Sequence, residues 1–168
     1  MKKMLLAMGM LCAACLWANA EVNDAAIQQS RDRVEKIRVV RNNLQAVSTG
    51  DVSIDGAKNA AVNVCEEVIK SGEQLADLYA AMNEGKKPVK EVLELSAQLA
   101  NEGLETAELA KKIEEASKAS KSLKNPKAAL NAGKLIKNAT EASKLTGEEV
   151  AFEVQLAKEM ADMLKAKK

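Results

Sequence analysis

The feature that most constrains this chain is the spacing between Ala61 and Met82. Ala61, Cys65, Val68, Gly72, Leu75, Tyr79 and Met82 follow one another in alternating steps of four and three. A strand would repeat every two residues. This rhythm instead places all of them along one side of a helix, as a seam that packs against other helices. One helix cannot bury its own seam, so the partners must come from the rest of the chain.

The flanking sequence supplies them. It is rich in Ala, Leu, Lys and Glu, only 2% of it is aromatic, and no segment alternates as a strand does. That composition favours helix throughout. A first helix is expected from Asn23 or Asp24 to Val47, carrying Ile27, Val34, Ile37 and Leu44. The stretch STGDVSIDG, residues 48–56, breaks it. The second runs from about Asp55 to Asn83 and stops at Gly85. The third starts near Pro88 and reaches toward Leu123 with Val92, Leu95, Leu99 and Ile113 on its face. Asn125-Pro126 ends it and opens a fourth helix with Leu130, Leu135, Ile136 and Leu145. Thr146 and Glu149 have the spacing of a capping box, which favours a break and a fifth helix, the alternative being one long helix that runs through Gly147. On that last segment Val150, Val154, Ala157, Ala161 and Leu164 form one apolar stripe, and Phe152, Leu156, Met160 and Met163 form another. The expected fold is all-α. It is an up-and-down bundle of four or five antiparallel helices, with residues 21–168 as a single domain.

The N-terminus reads as an address. Lys2 and Lys3 precede an uncharged run from Met4 to Trp17, and Ala18-Asn19-Ala20 follows as a small-x-small site. This is the pattern of a secretory signal peptide spanning residues 1–20, cut between Ala20 and Glu21. The apolar run is shorter than the ~20 residues of a membrane-spanning helix. The alternative is lipidation at Cys15. Ala13 and Ala14 suit it, but Cys12 stands where a branched aliphatic residue is expected, so release is favoured. The short, paired-lysine start looks bacterial, and the expected destination is the periplasm. Removing Lys2 and Lys3 turns the chain's formal charge from +1 to −1. It also leaves Cys65 without an internal disulfide partner.

Composition excludes whole classes of function. A nearly neutral chain, with Tyr79 and Phe152 as the aromatics left after cleavage, lacks the charge and stacking surface of a nucleic-acid binder. There is no histidine. That removes the Ser-His-Asp and Cys-His nucleophile systems, the Glu-x-x-His pairs of di-iron bundles, and the usual imidazole ligands of zinc and haem. No phosphate-binding glycine motif occurs. The chain is therefore read as non-enzymatic, with no cofactor, metal or small-molecule substrate inferred. Its expected partner is another envelope protein or a second copy. A membrane surface is the alternative.

A few residues stand out as candidate sites. Cys65 reads either as a redox thiol or as a small apolar residue in the seam, and its neighbours Glu66 and Glu67 favour the latter. The arginines, Arg31, Arg33, Arg38 and Arg41, all fall in the first helix, and every other basic position is lysine. Arg31, Arg38 and Arg41 fall near one another at 100° per residue. Their forked guanidinium groups suit an anion or an acidic partner surface. The competing and favoured reading is an internal seam to Glu91, Glu94, Glu102, Glu105 and Glu108 of the third helix. Lysine-rich residues 111–127 and acidic residues 141–162 are expected to pair across the bundle.

Overall fold

A computed structural model describes residues 22–166, and among them every regular element is an α-helix. The helices are α1 (Asp24–Gln45), α2 (Val52–Asn83), α3 (Val89–Ser120) and α4 (Pro126–Ala166). The proposed signal segment, its cleavage site at Ala18, Ala20 and Glu21, and Cys15 lie outside the described residues.

Three of the four helix starts have a side-chain cap. Asn23 caps α1 by accepting from the Ala26 amide at 2.9 Å. Asp51 caps α2 by accepting from Ser53 and Ile54, so α2 begins at Val52, ahead of the expected Asp55. Asn125 accepts from the Lys127 and Ala128 amides at the start of α4. Asp55 instead ties down the α1–α2 connection, accepting from the Ser48 and Thr49 hydroxyls and the Thr49 and Gly50 amides. At the end of α2, Gly85 has φ 82° while its amide bonds Met82 O and the Lys86 amide bonds Ala81 O. These crossed bonds form a Schellman closure, which needs the left-handed backbone that glycine adopts without strain.

The expected break before a fifth helix is absent, because α4 runs unbroken for 41 residues. Thr146 is fully buried and donates to Ala142 O one turn back, and Glu149 is buried too. A cap would need Thr146 on extended backbone with its oxygen free for an amide. Here both polar side chains serve the interior. The stripes expected on this segment also divide differently. Val150, Phe152, Leu156, Ala157, Met160 and Leu164 are buried, whereas Val154 and Met163 face outward, as does Leu130 earlier in the helix.

α1 packs on α2 and α4, α3 packs on α2 and α4, and α2 meets α4 across the bundle. α1 and α3 do not touch. The cross-section is thus a rhombus with α2 and α4 on its short diagonal. Small side chains permit that approach, among them Ala61, Gly72 and Ala76 of α2 and Ala139, Ala142 and Ala157 of α4. Apolar packing forms successive clusters along the bundle. One end joins Ile27, Leu75, Leu95, Phe152 and Met160. The middle joins Val34, Ile37, Cys65, Leu109 and Val150. The far end joins Ile54, Ala116 and Leu135. The start of α1 shares its end with the close of α2, and the start of α3 with the close of α4, which is the alternating up-and-down order.

Candidate functional site

A polar layer separates the first two apolar clusters. Every helix contributes to it: Ser30 and Arg33 from α1, Ser71 and Gly72 from α2, Glu102 and Thr106 from α3, and Thr146, Glu149 and Glu153 from α4. Glu149 and Glu153 are 0% exposed and Glu102 is 3% exposed. Carboxylates are rarely buried to this degree without partners, because removing an ion from water costs on the order of several kcal/mol after relaxation.

The partners present are few. Ser30 Oγ donates to Glu149 Oε1 at 2.5 Å, and Arg33 Nη1 lies 3.5 Å from Glu149 Oε2. The Arg33 guanidinium also stacks over the Phe152 ring, 4.6 Å from its centroid. Glu102 accepts from Gln98 Nε2 at 2.8 Å and from Ser71 Oγ at 3.0 Å. Glu153 lies beside the Ser71 hydroxyl and the Glu149 carboxyl. Ser71, however, is directed at Val68 O and Glu102, so no donor meets either Glu153 oxygen at hydrogen-bond geometry among the described residues. Gly72 makes the layer fit. A Cβ there would lie 2.6 Å from Val34 Cγ2 and 2.9 Å from Glu153 Oε1.

These surroundings hold the carboxyls toward the protonated form. Burial raises Glu149 to about 7, against the opposing pull of Ser30 and Arg33. Burial and the charge of Glu149 drive Glu153 well above the carboxylate range. Burial also raises Glu102, offset by Gln98 and Ser71. The acid series continues outward. Glu67 on α2 is raised to about 7, chiefly by its hydrogen bond with Glu105 on α3, then by burial and by the charges of Glu105 and Glu102, with Lys70 opposing.

The arginines read either as an internal seam or as an anion site meet different surroundings. Arg31 is exposed. Arg38 pairs with Glu35 at 3.1 Å and with Glu73 of α2. Arg41 lies 3.8 Å from Glu66 of α2 and also bonds Asn42. The expected seam to α3 does not form, since α1 and α3 lie at opposite corners of the rhombus. Arg38 and Arg41 instead find carboxylates on α2, and Arg33 finds one on α4. Cys65 is fully buried in the middle cluster, where burial first, then Glu66, pushes its thiol up to about 12 against Arg41. A thiol so held is protonated and shielded.

The buried pairing of Arg33 with Glu149, and the place of Glu153 beside it, were not expected from the sequence. The signal for the glutamates was present: Ala142, Thr146, Glu149, Glu153, Leu156 and Met160 alternate steps of four and three, so two acids occupy seam positions. Reading Thr146 and Glu149 as a cap hid it.

A second feature lies outside. α3 carries Val89, Leu93, Ala97, Ala100, Leu104 and Ala107 along its solvent face, with Leu93 56% and Leu104 68% exposed. From Leu93 onward their spacing again alternates four and three. Exposed Glu94, Glu105 and Glu108 lie beside this stripe on the side toward α2. Toward α4 it adjoins a groove of about 310 Å³ lined by Ser96, Val154, Lys158, Ala161, Asp162 and Lys165.

No protein family, curated protein or solved structure matches this chain. Among the described residues, no cluster of three or more Cys, Asp or Glu is arranged to hold a metal ion, and no helix is long and apolar enough to cross a membrane.

Proposed function

We propose that this is an exported, periplasmic, non-enzymatic helical-bundle protein that works by docking another protein's helix on the outer face of α3. The observation that carries the reading is the Leu93–Leu104 stripe. α3 is already buried along Val92, Leu95, Leu99, Glu102, Thr106 and Leu109, so the stripe is a second seam on the same helix. Leucine and alanine at heptad spacing, about 21 Å long from Leu93 to Ala107, are the geometry that receives an amphipathic helix. The bordering glutamates select an occupant whose flank carries lysine or arginine. The same acids disfavour an anionic membrane surface. Export rests on the basic, apolar and small-residue pattern of residues 1–20.

The test is copurification after crosslinking in cells, comparing the native chain with Leu93→Glu/Leu104→Glu. A helical, stably folded double variant that loses a stoichiometric partner is the expected result. A partner retained by the variant would move the interface elsewhere. Recovery of a second copy alone would make the contact self-association. Flotation of the native chain with anionic vesicles would favour the lipid-surface alternative.

A further inference from the structure

We infer that the polar layer is a proton-operated latch, closed while Glu149 and Glu153 share a proton and loosened when that proton leaves. The geometry sets the requirement. Glu149 and Glu153 stand one turn apart on α4, both 0% exposed, in a layer closed above and below by apolar clusters. Glu149 has Ser30 and Arg33. Glu153 has neither, and Glu149 is the acceptor beside it. A proton on Glu153 gives it a donor to offer and leaves Glu149 as the single anion facing Arg33. Loss of that proton leaves two adjacent buried carboxylates against one guanidinium.

The charged and titratable groups facing the pair from the other helices do not relieve this. α1 supplies Arg33, already engaged with Glu149. α3 supplies Glu102, a further acid. Beyond Glu102 stand Glu105 of α3 and Glu67 of α2, with Lys70 of α2 beside Glu67 at the exposed end. This run of acids, from buried Glu149 and Glu153 through Glu102 to exposed Glu105 and Glu67, also gives the proton a route to water. The step is a simple dissociation. The O–H bond of the carboxylic acid breaks, the electron pair stays on the glutamate, and the proton passes to solvent. Water must then enter the layer to solvate the second charge, and the helix contacts around Gly72 separate to admit it.

The sign follows from linkage. The folded state holds a proton that the unfolded chain, with glutamates near 4.5, releases earlier. The stabilisation is complete below about 4.5 and is lost as pH rises through the raised folded value. Where one proton separates closed from opened states, the opening equilibrium rises about tenfold per pH unit.

The experiment is urea unfolding of the native chain, Glu153→Gln and Glu67→Gln from pH 5 to 8.5, with amide-exchange protection factors over residues 146–153 and 30–34. The native midpoint is expected to fall across this range, with protection dropping at least tenfold in those two segments. Glu153→Gln, which keeps the donor and cannot ionise, should show a clearly shallower fall of the midpoint than the native chain, with the remainder set by Glu67 and Glu102, and should retain protection at pH 8.5. Glu67→Gln should keep most of the native slope. A native midpoint independent of pH would overturn the latch, and this reading stands even if Glu153→Gln fails to fold. So would an unchanged slope in Glu153→Gln. Neither outcome bears on the docking face of α3.

Discussion

Glu153 and Arg33 carry unequal burdens at the level of single residues. Arg33 is the guanidinium nearest the buried Glu149, and it covers Phe152 besides. Replacing it with methionine keeps much of the apolar stem and removes the charge. Breaking a buried pair by removing one partner costs about 3 kcal/mol. Arg33→Met should therefore lose about that much at pH 7, measured by urea unfolding, with a smaller loss at pH 5 where Glu149 takes up a proton. Arg31, exposed on the same helix, should change stability by less than about 0.5 kcal/mol when replaced the same way. Equal effects would mean the layer does not depend on Arg33. All the arginines were visible in the sequence, but their destinations were not. Arg33, Arg38 and Arg41 differ in direction by which neighbour happens to lie across from each, and that depends on the assembled bundle.

Each helix shows how local signals and packing divide the work. The caps at Asn23 and Asn125 and the closure at Gly85 follow from side-chain chemistry within a few residues, so the helix ends were legible. The continuity of α4 was not. Thr146 and Glu149 are good cap residues by type, and only a buried layer to receive them makes the unbroken helix the better use of both. Glycine sorts the same way. Gly133 in α4 has open space where a Cβ would stand. Gly133→Ala should raise stability by up to about 1 kcal/mol through helix propensity alone. Gly72 sits mid-helix as well, yet a Cβ there would collide with Val34 Cγ2 and Glu153 Oε1. Gly72→Ala should lower stability by about 1–3 kcal/mol despite the same propensity gain. Thermal or urea unfolding of the two variants reads this directly. A stabilised Gly72→Ala would show that α1 and α4 approach α2 less closely at this point.

For the whole molecule, opposing titrations set the working range. Asp55 is lowered because its hydrogen bonds to the α1–α2 connection outweigh its partial burial. Its contribution is present above its ordinary value of 3.8 and is lost as pH falls through its folded value. The layer acts in the other direction, losing its contribution as pH rises above the ordinary glutamate value of 4.5. Stability should therefore peak between about 4 and 5 and decline on both sides, measured as the urea midpoint across pH 3 to 8.5. The sequence disclosed an all-helical chain and its main seams. It did not disclose which pair of helices forms the long diagonal, since seam spacing is the same for neighbours and for opposite corners. The expected α1–α3 charge seam failed for that reason, and the acidic layer on the short diagonal went unseen.

The most direct test of the buried acid layer is a side-chain carboxyl titration by carbon-13 NMR on glutamate-labelled protein, followed from pH 4 to 9. The structure predicts that at least one glutamate, assigned through Glu153→Gln, keeps its proton well above the ordinary value of 4.5. If every glutamate has ionised by pH 6 while the bundle stays folded, the proton between Glu149 and Glu153 does not exist.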